Sequence, residues 1–78
     1  MPEQLRNFLR DERARRNLTQ ADLAELVGVS RKTINTVENG VFIPSTVLAL
    51  KLARALGTTV EQLFQLADDH HRSGRKES

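Results

Sequence analysis

The 78-residue sequence contains no cysteine, which excludes disulfides and thiolate metal sites. No apolar run approaches the ~20 residues that a membrane-spanning helix needs. The first residues, MPEQLRNFLRDE, lack the basic-then-apolar order of a signal peptide. These absences lead us to expect one small, soluble, cytoplasmic domain that has no contact with a membrane.

A strong net charge is also missing, because 12 Lys and Arg residues are set against 10 Asp and Glu residues, for a net charge of +2. The positive charges are nevertheless clustered. Four arginines lie between positions 10 and 16, and Arg31 and Lys32 are adjacent. Local basic clusters suit a polyanion such as nucleic acid, although a solvated helix surface accounts for them equally well until a motif is considered.

Little in the sequence suggests catalysis. The Asp68-Asp69-His70-His71 run could be a metal cluster, but consecutive residues in a polar tail do not converge easily on one ion. A Ser-His-Asp triad would require the same tail to fold back. The sequence has no glycine-rich phosphate loop. We therefore expect no enzymatic activity, no metal and no other cofactor.

Apolar residues recur at helical spacing, and no stretch alternates as a strand would. Caps and glycines delimit five predicted helices, over about 3–16, 19–27, 30–39, 46–56 and from 59 onwards. Thr19 with Asp22 is a weak capping-box variant, whereas Thr59 with Gln62 is a full one. The prediction is an all-α, compact five-helix domain over residues 1–67, followed by a disordered polar tail over 68–78.

The second and third predicted helices, with Gly28 in the turn between them, form a helix-turn-helix unit from Thr19 to Gly40. Such a unit places its second helix in the major groove of DNA. Ile34 and Val37 lie on one side of that helix and predict its buried face. The opposite arc of about 140° carries five polar residues: Arg31, Lys32, Asn35, Thr36 and Asn39. Arg and Lys pair with guanine and Asn with adenine, so this arc predicts base readout.

Glu38 falls at the border of the inward face of the same helix. A carboxylate at such a position must stay hydrated or find a cation. We expect its partner to be Arg13 on the first helix.

The stretch LTQADLAELVGVSRKTINTVENG, followed by PS and LALKLARALGTTVEQLF, resembles the Cro/cI-type (XRE) helix-turn-helix regulators over about residues 5–66. The resemblance implies a lambda-repressor-like fold. It also implies that Gln20 meets a phosphate and braces the recognition helix, and that Arg13 and Glu38 form an ion pair. The DNA-contacting positions that it implies on the recognition helix are Ser30, Arg31, Lys32, Thr33, Asn35, Thr36 and Asn39.

Two functions fit these features. The first is a sequence-specific double-stranded DNA-binding regulator, acting by operator occupancy as a homodimer on a (pseudo)palindromic site. Its candidate dimer interface is apolar, although the same residues could instead close the core of the monomer: Phe42, Ile43, Val47, Leu50 and Leu66. The second function is an antitoxin or accessory subunit, in which the apolar loop after the recognition helix and the fifth helix bind another protein while DNA binding serves autoregulation.

Overall fold

A computed structural model describes residues 5–67 of the chain. The elements in chain order are β1 (Leu5–Asn7), α1 (Leu9–Arg15), α2 (Gln20–Val27), α3 (Arg31–Glu38), α4 (Thr46–Leu56), α5 (Val60–Leu63) and β2 (Phe64–Leu66). The predicted five-helix fold with its helix-turn-helix unit is confirmed. The proposed tail over residues 68–78 lies outside the described residues.

A small antiparallel sheet is the main departure from the predicted all-helical chain. β1 pairs with β2, with Leu5 opposite Leu66 and Asn7 opposite Phe64. The predictions that the first helix begins near residue 3 and that Phe64 continues the fifth helix were therefore wrong. Strands of three residues are too short to show an alternating pattern. Their pairing also joins segments from the two ends of the domain, which local periodicity does not reveal.

Each helix after α1 begins at a hydroxyl side chain that accepts a backbone hydrogen bond. The full capping box is at Thr19, whose Oγ1 accepts from the Asp22 N–H at 3.0 Å while the Thr19 N–H donates to Asp22 at 2.9 Å. At Thr59 the structure shows only the threonine half, in which Oγ1 accepts from the Gln62 N–H. The full capping box was predicted at Thr59 and the weaker one at Thr19, and the structure shows the reverse.

The ends of the helices follow the sequence signals. Gly28, Gly40 and Gly57 all have positive φ, a conformation that glycine adopts without steric cost. Asn17, after α1, also has a positive φ of 58°, as its tolerance of the left-handed region predicts.

One hydrophobic core lies between the helices and holds α3 in place. Ile34 and Val37 on α3 are fully buried, as predicted. α4 also buries one side, which comprises Leu48, Ala49, Leu52, Ala53 and Leu56. Leu26 on α2 is 60% exposed.

None of the helices within residues 5–67 is long and apolar enough to cross a membrane.

Candidate nucleic-acid interface

α3 packs against α2 and carries its polar arc to the surface. The buried side is fixed by Ile34 and Val37, so the remaining positions turn outward. The exposed residues are Ser30, Arg31, Lys32, Asn35 and Asn39, while Thr33 and Thr36 are half-buried. The sequence-predicted recognition residues therefore share one accessible surface of one helix.

Three hydroxyl groups on this surface already make hydrogen bonds within α3. The Ser30 Oγ accepts from the Thr33 N–H at 3.1 Å and lies 3.0 Å from the Thr33 hydroxyl. The Thr36 hydroxyl donates to the Thr33 carbonyl at 2.9 Å. These contacts cap and stiffen the helix. Arg31 and Lys32, in its first turn, extend beyond these shorter side chains, where they are suited to reach a ligand.

The two amides on this surface are linked to each other and to α1. Asn39 Nδ2 donates to Asn35 Oδ1 at 3.2 Å, and Arg10 Nη2 donates to Asn39 Oδ1 at 3.1 Å. An arginine outside the helix-turn-helix unit thus touches the same polar surface. From the sequence alone, Arg10 is only one of the four arginines clustered between positions 10 and 16.

Beneath this surface, the buried carboxylate of Glu38 joins three helices. Its side chain is fully buried, and Arg13 Nε lies 2.6 Å from Oε2 while Nη2 donates to Oε1 at 3.2 Å. From the start of α2, Gln20 Nε2 donates to the Glu38 Oε1 at 3.0 Å. Arg10 Nε lies 3.6 Å from the same oxygen. The network fixes the C-terminal end of α3 relative to α1 and α2.

The charges in this network favour their ionised forms. Burial acts to raise the pKa of Glu38, but hydrogen bonds from Arg13 and Gln20 and the attraction of both arginines outweigh it, so the pKa is lowered. The hydrogen bond to Glu38 raises the pKa of Arg13. Arg13 also donates to the Leu18 carbonyl at 2.8 Å, which ties the pair to the chain before α2.

Asn7, which is absent from the residues predicted from the sequence, positions α3. Its Nδ2 donates to the Val37 carbonyl at 2.6 Å, and its Oδ1 accepts from the Leu9 N–H at 3.0 Å. It therefore connects β1, the start of α1 and the last turn of α3. An asparagine just before an apolar helical segment is a typical N-terminal helix signal; it predicts a helix starting within one residue of Leu9, although the N-cap of α1 is Phe8.

Glu12 shows why an acidic residue is tolerated on α1. Its Oε1 lies 2.7 Å from Arg16 Nη1, one helical turn later. This local pair is separate from the Glu38 network.

The five candidate interface residues are exposed and do not close the core of the described domain. Their exposed fractions are 47% for Phe42, 72% for Ile43, 62% for Val47, 57% for Leu50 and 41% for Leu66. Leu5, predicted to lie inside the first helix, is 38% exposed and pairs with Leu66 across the sheet. Leu5, Ile43 and Leu50 line one apolar groove. This groove with Leu66 at its sheet edge is called the apolar face below.

Among residues 5–67 no group of three or more His, Asp or Glu side chains is placed to hold a metal ion. The candidate cluster at residues 68–71 lies outside that range.

Comparison with known proteins agrees with this geometry. The family model described as helix-turn-helix matches residues 9–63. The chain is 46% identical over 65 residues to an uncharacterised HTH-type transcriptional regulator of Methanocaldococcus jannaschii, covering 83% of this chain and 98% of that protein.

Two solved structures share the fold. The restriction-modification controller protein C.AhdI from Aeromonas hydrophila matches with a TM-score of 0.66 and 39% identity, over 69% of this chain and 82% of that one. The clp gene regulator ClgR from Corynebacterium glutamicum matches with a TM-score of 0.66 and 33% identity, over 69% of this chain. The present chain spans 57% of the length of ClgR.

The fold and its polar helix are those of a helix-turn-helix DNA-binding protein. The chain belongs to the Cro/cI-type (XRE) helix-turn-helix family of transcriptional regulators, whose members bind DNA and are not enzymes.

Proposed function

We propose that this regulator binds a specific double-stranded site by inserting α3 into the major groove, and that it represses transcription by occupying that site. The observation that carries the proposal is the exposed arc of Arg31, Lys32 and Asn35 on a helix whose opposite side is fully buried. Such a helix presents long donor side chains toward base edges. We place this activity in the cytoplasm, on chromosomal DNA.

Contacts with the DNA backbone set the depth and angle of insertion in this proposal. Gln20 Nε2 donates one of its two hydrogens to Glu38. In this proposal its second hydrogen is donated to a DNA phosphate at the start of α2. The backbone of Asn39 lies at the other end of the recognition surface. Ser30, Thr33 and Thr36 complete the contact surface, with their hydroxyl groups bonded within α3.

A homodimer supplies a second recognition helix, which binds a second half-site on the DNA. One recognition helix reads only a few base pairs, and two half-sites about 34 Å apart give useful affinity. We assign the dimer contact to the apolar face together with Phe42 and Val47, because these residues are exposed in the single chain. The operator is then a (pseudo)palindrome.

The test is selection of bound fragments from a random-sequence DNA pool, followed by affinity measurements over a range of salt concentrations. We expect an inverted-repeat motif and a log-log salt slope of about −0.9 for each phosphate contacted. A salt-dependent affinity that is equal for all sequences would contradict specific readout. Enrichment of a single, unrepeated half-site would contradict the homodimer.

A second candidate is favoured by the loop after α3, where Ile43 is 72% exposed and Phe42 is 47% exposed. An antitoxin or accessory subunit would bury this loop against another protein and keep DNA binding for autoregulation. Sedimentation distinguishes the two functions. A stable monomer that binds no DNA at low salt and captures a protein from lysate favours the second.

A further inference from the structure

The chain of hydrogen bonds that ends on Asn35 determines which atom of that amide faces DNA. Asn35 is exposed on α3, between the first turn and the C-terminal end. A free asparagine amide turns either its oxygen or its nitrogen outward, so it suits an amino-bearing or a keto-bearing base equally. Adenine is the usual partner because it engages both atoms.

The orientation is set step by step from a buried charge. Glu38 holds Arg10, whose Nε lies 3.6 Å from Oε1. A guanidinium has only donors, so Arg10 Nη2, at 3.1 Å from Asn39, requires the amide oxygen of that residue to face it. The Nδ2 of Asn39 then points along α3 and donates to Asn35 Oδ1 at 3.2 Å.

We infer that Arg10 and Asn39 are positioning residues that make Asn35 a hydrogen-bond donor toward DNA, so that it selects a keto base, guanine or thymine, rather than adenine. Turning the Asn35 oxygen outward would bring two amide NH₂ groups together. Turning Asn39 as well would bring its NH₂ group against the guanidinium. Guanine O6 and thymine O4 are acceptors that match the NH₂ group that Asn35 presents, whereas the exocyclic amino group of adenine does not; N7 is an acceptor in both purines and does not discriminate between them.

The inference rests on the proposed base readout by α3, and its test uses the full-length chain. The wild type is first shown to bind DNA with salt-dependent affinity, and fragments are then selected from a random-sequence pool. The Asn35→Ala variant identifies the base pair that Asn35 reads. Analogues lacking the keto oxygen or the amino group, placed in one strand at a time, identify the contacted base.

The decisive variant is Asn39→Asp. A carboxylate accepts from Arg10 and also from Asn35, so the Asn35 Nδ2 must turn toward position 39 and its oxygen must face DNA. We expect the ratio of keto to amino bases at that position to fall by on the order of tenfold. The double variant Asn35→Ala, Asn39→Asp carries the same added charge and should show the same base preference at that position as Asn35→Ala alone.

Arg10→Met tests the first step, with Arg15→Met as its control. Arg10 and Arg15 lie on α1 with side chains 60% and 70% exposed, so both variants lose one exposed positive charge. Only the Arg10 variant frees the Asn39 amide, and we expect it to lose several-fold in discrimination at the Asn35 base pair.

Four results would overturn the inference. They are a wild-type contact to an amino base, an unchanged preference in Asn39→Asp, equal behaviour of the two arginine variants, and no base preference lost in Asn35→Ala. A wild type that binds no DNA at the lowest salt would instead overturn the proposed function itself.

Discussion

At the scale of single residues, Glu38 shows how a charge is used inside a small core. Its carboxylate is fully buried and is surrounded by donors from α1 and α2. A buried ion pair adds little net stability compared with apolar packing, but loss of one partner is costly. The pair therefore fixes the orientation of α3 more than it adds to the free energy of unfolding.

Glu38→Gln should lower the free energy of unfolding by about 3 kcal/mol, because the largely buried Arg13 loses its counter-charge. The pKa of Glu38 is lowered in the folded state. Its contribution is therefore fully present above the pKa of the unfolded carboxyl, about 4.3, and is lost as pH falls through the lower folded value. Urea unfolding of both proteins at several pH values measures the free energy of unfolding and its pH dependence.

The loss of stability at acid pH tests whether the ionised form of Glu38 is responsible. Wild type should lose stability more steeply than Glu38→Gln below about pH 4.3. Glu25→Gln, at an exposed position on α2, should follow the wild-type curve. Equal acid slopes in wild type and Glu38→Gln would show that the pair does not bias the protonation of Glu38.

Arg31→Ala should cost about 1–3 kcal/mol on the selected site and relax the preference at one base pair. The reason is its place in the first turn of an inserted helix, where side chains reach base edges. Fluorescence anisotropy with specific and random duplexes measures both effects. Similar losses on the two duplexes would assign Arg31 to phosphates instead.

At the scale of elements, the two ends of the described domain are joined to each other and to α3. β1 pairs with β2, and the Phe8 N–H donates to the Leu63 carbonyl at 2.9 Å. Asn7 then links this region to the last turn of α3. The sheet thus supports α3, although it lies outside the helix-turn-helix unit.

Asn7→Ala should destabilise the fold by about 1–2 kcal/mol, because the Leu9 N–H loses its acceptor and the Val37 carbonyl loses a donor. Asn7→Asp retains the acceptor and should rescue only the part due to Leu9. Thermal unfolding of the three proteins, monitored by circular dichroism, gives the comparison. An alanine variant as stable as wild type would remove Asn7 from the elements that position α3.

At the scale of the whole molecule, the chain has a polar surface on α3 and an apolar face formed by β1, β2, α4 and the loop before α4. The apolar face includes Ile43 and Leu50, both more than half exposed. Contiguous exposed apolar residues mark interaction surfaces in small proteins. The proposed homodimer pairs two chains through this face.

Leu50→Asp should convert a dimer into a monomer and lower the affinity for an inverted repeat, while the affinity for a single half-site stays the same. The buried carboxylate would have no partner at the interface. Analytical ultracentrifugation and anisotropy measure the two effects. Leu26→Asp is the matched control, since Leu26 is 60% exposed on α2 and Leu50 is 57% exposed. Dissociation by both substitutions, or by neither, would exclude the proposed interface.

The sequence by itself determined the helix-turn-helix unit and its polar arc. Hydroxyl caps at Thr19 and Ser30, a glycine at position 28 and apolar residues at helical spacing are local signals, and each acts within one or two turns of the chain. The division of α3 into a buried side at Ile34 and Val37 and an outward polar side follows from the helical period alone.

Only the tertiary structure decided what joins these elements. Contacts between residues far apart in the chain decide three features: the pairing of Leu5 with Leu66, the hydrogen bond from Arg10 to Asn39, and the exposure of Leu50. A strand of three residues is too short to show an alternating pattern. An arginine side chain is long enough to reach several partners. An apolar residue at the edge of a helix has the same sequence context whether another element covers it or not. Packing resolves these alternatives, because backbone pairing, side-chain direction and burial are fixed only when all the elements are in place.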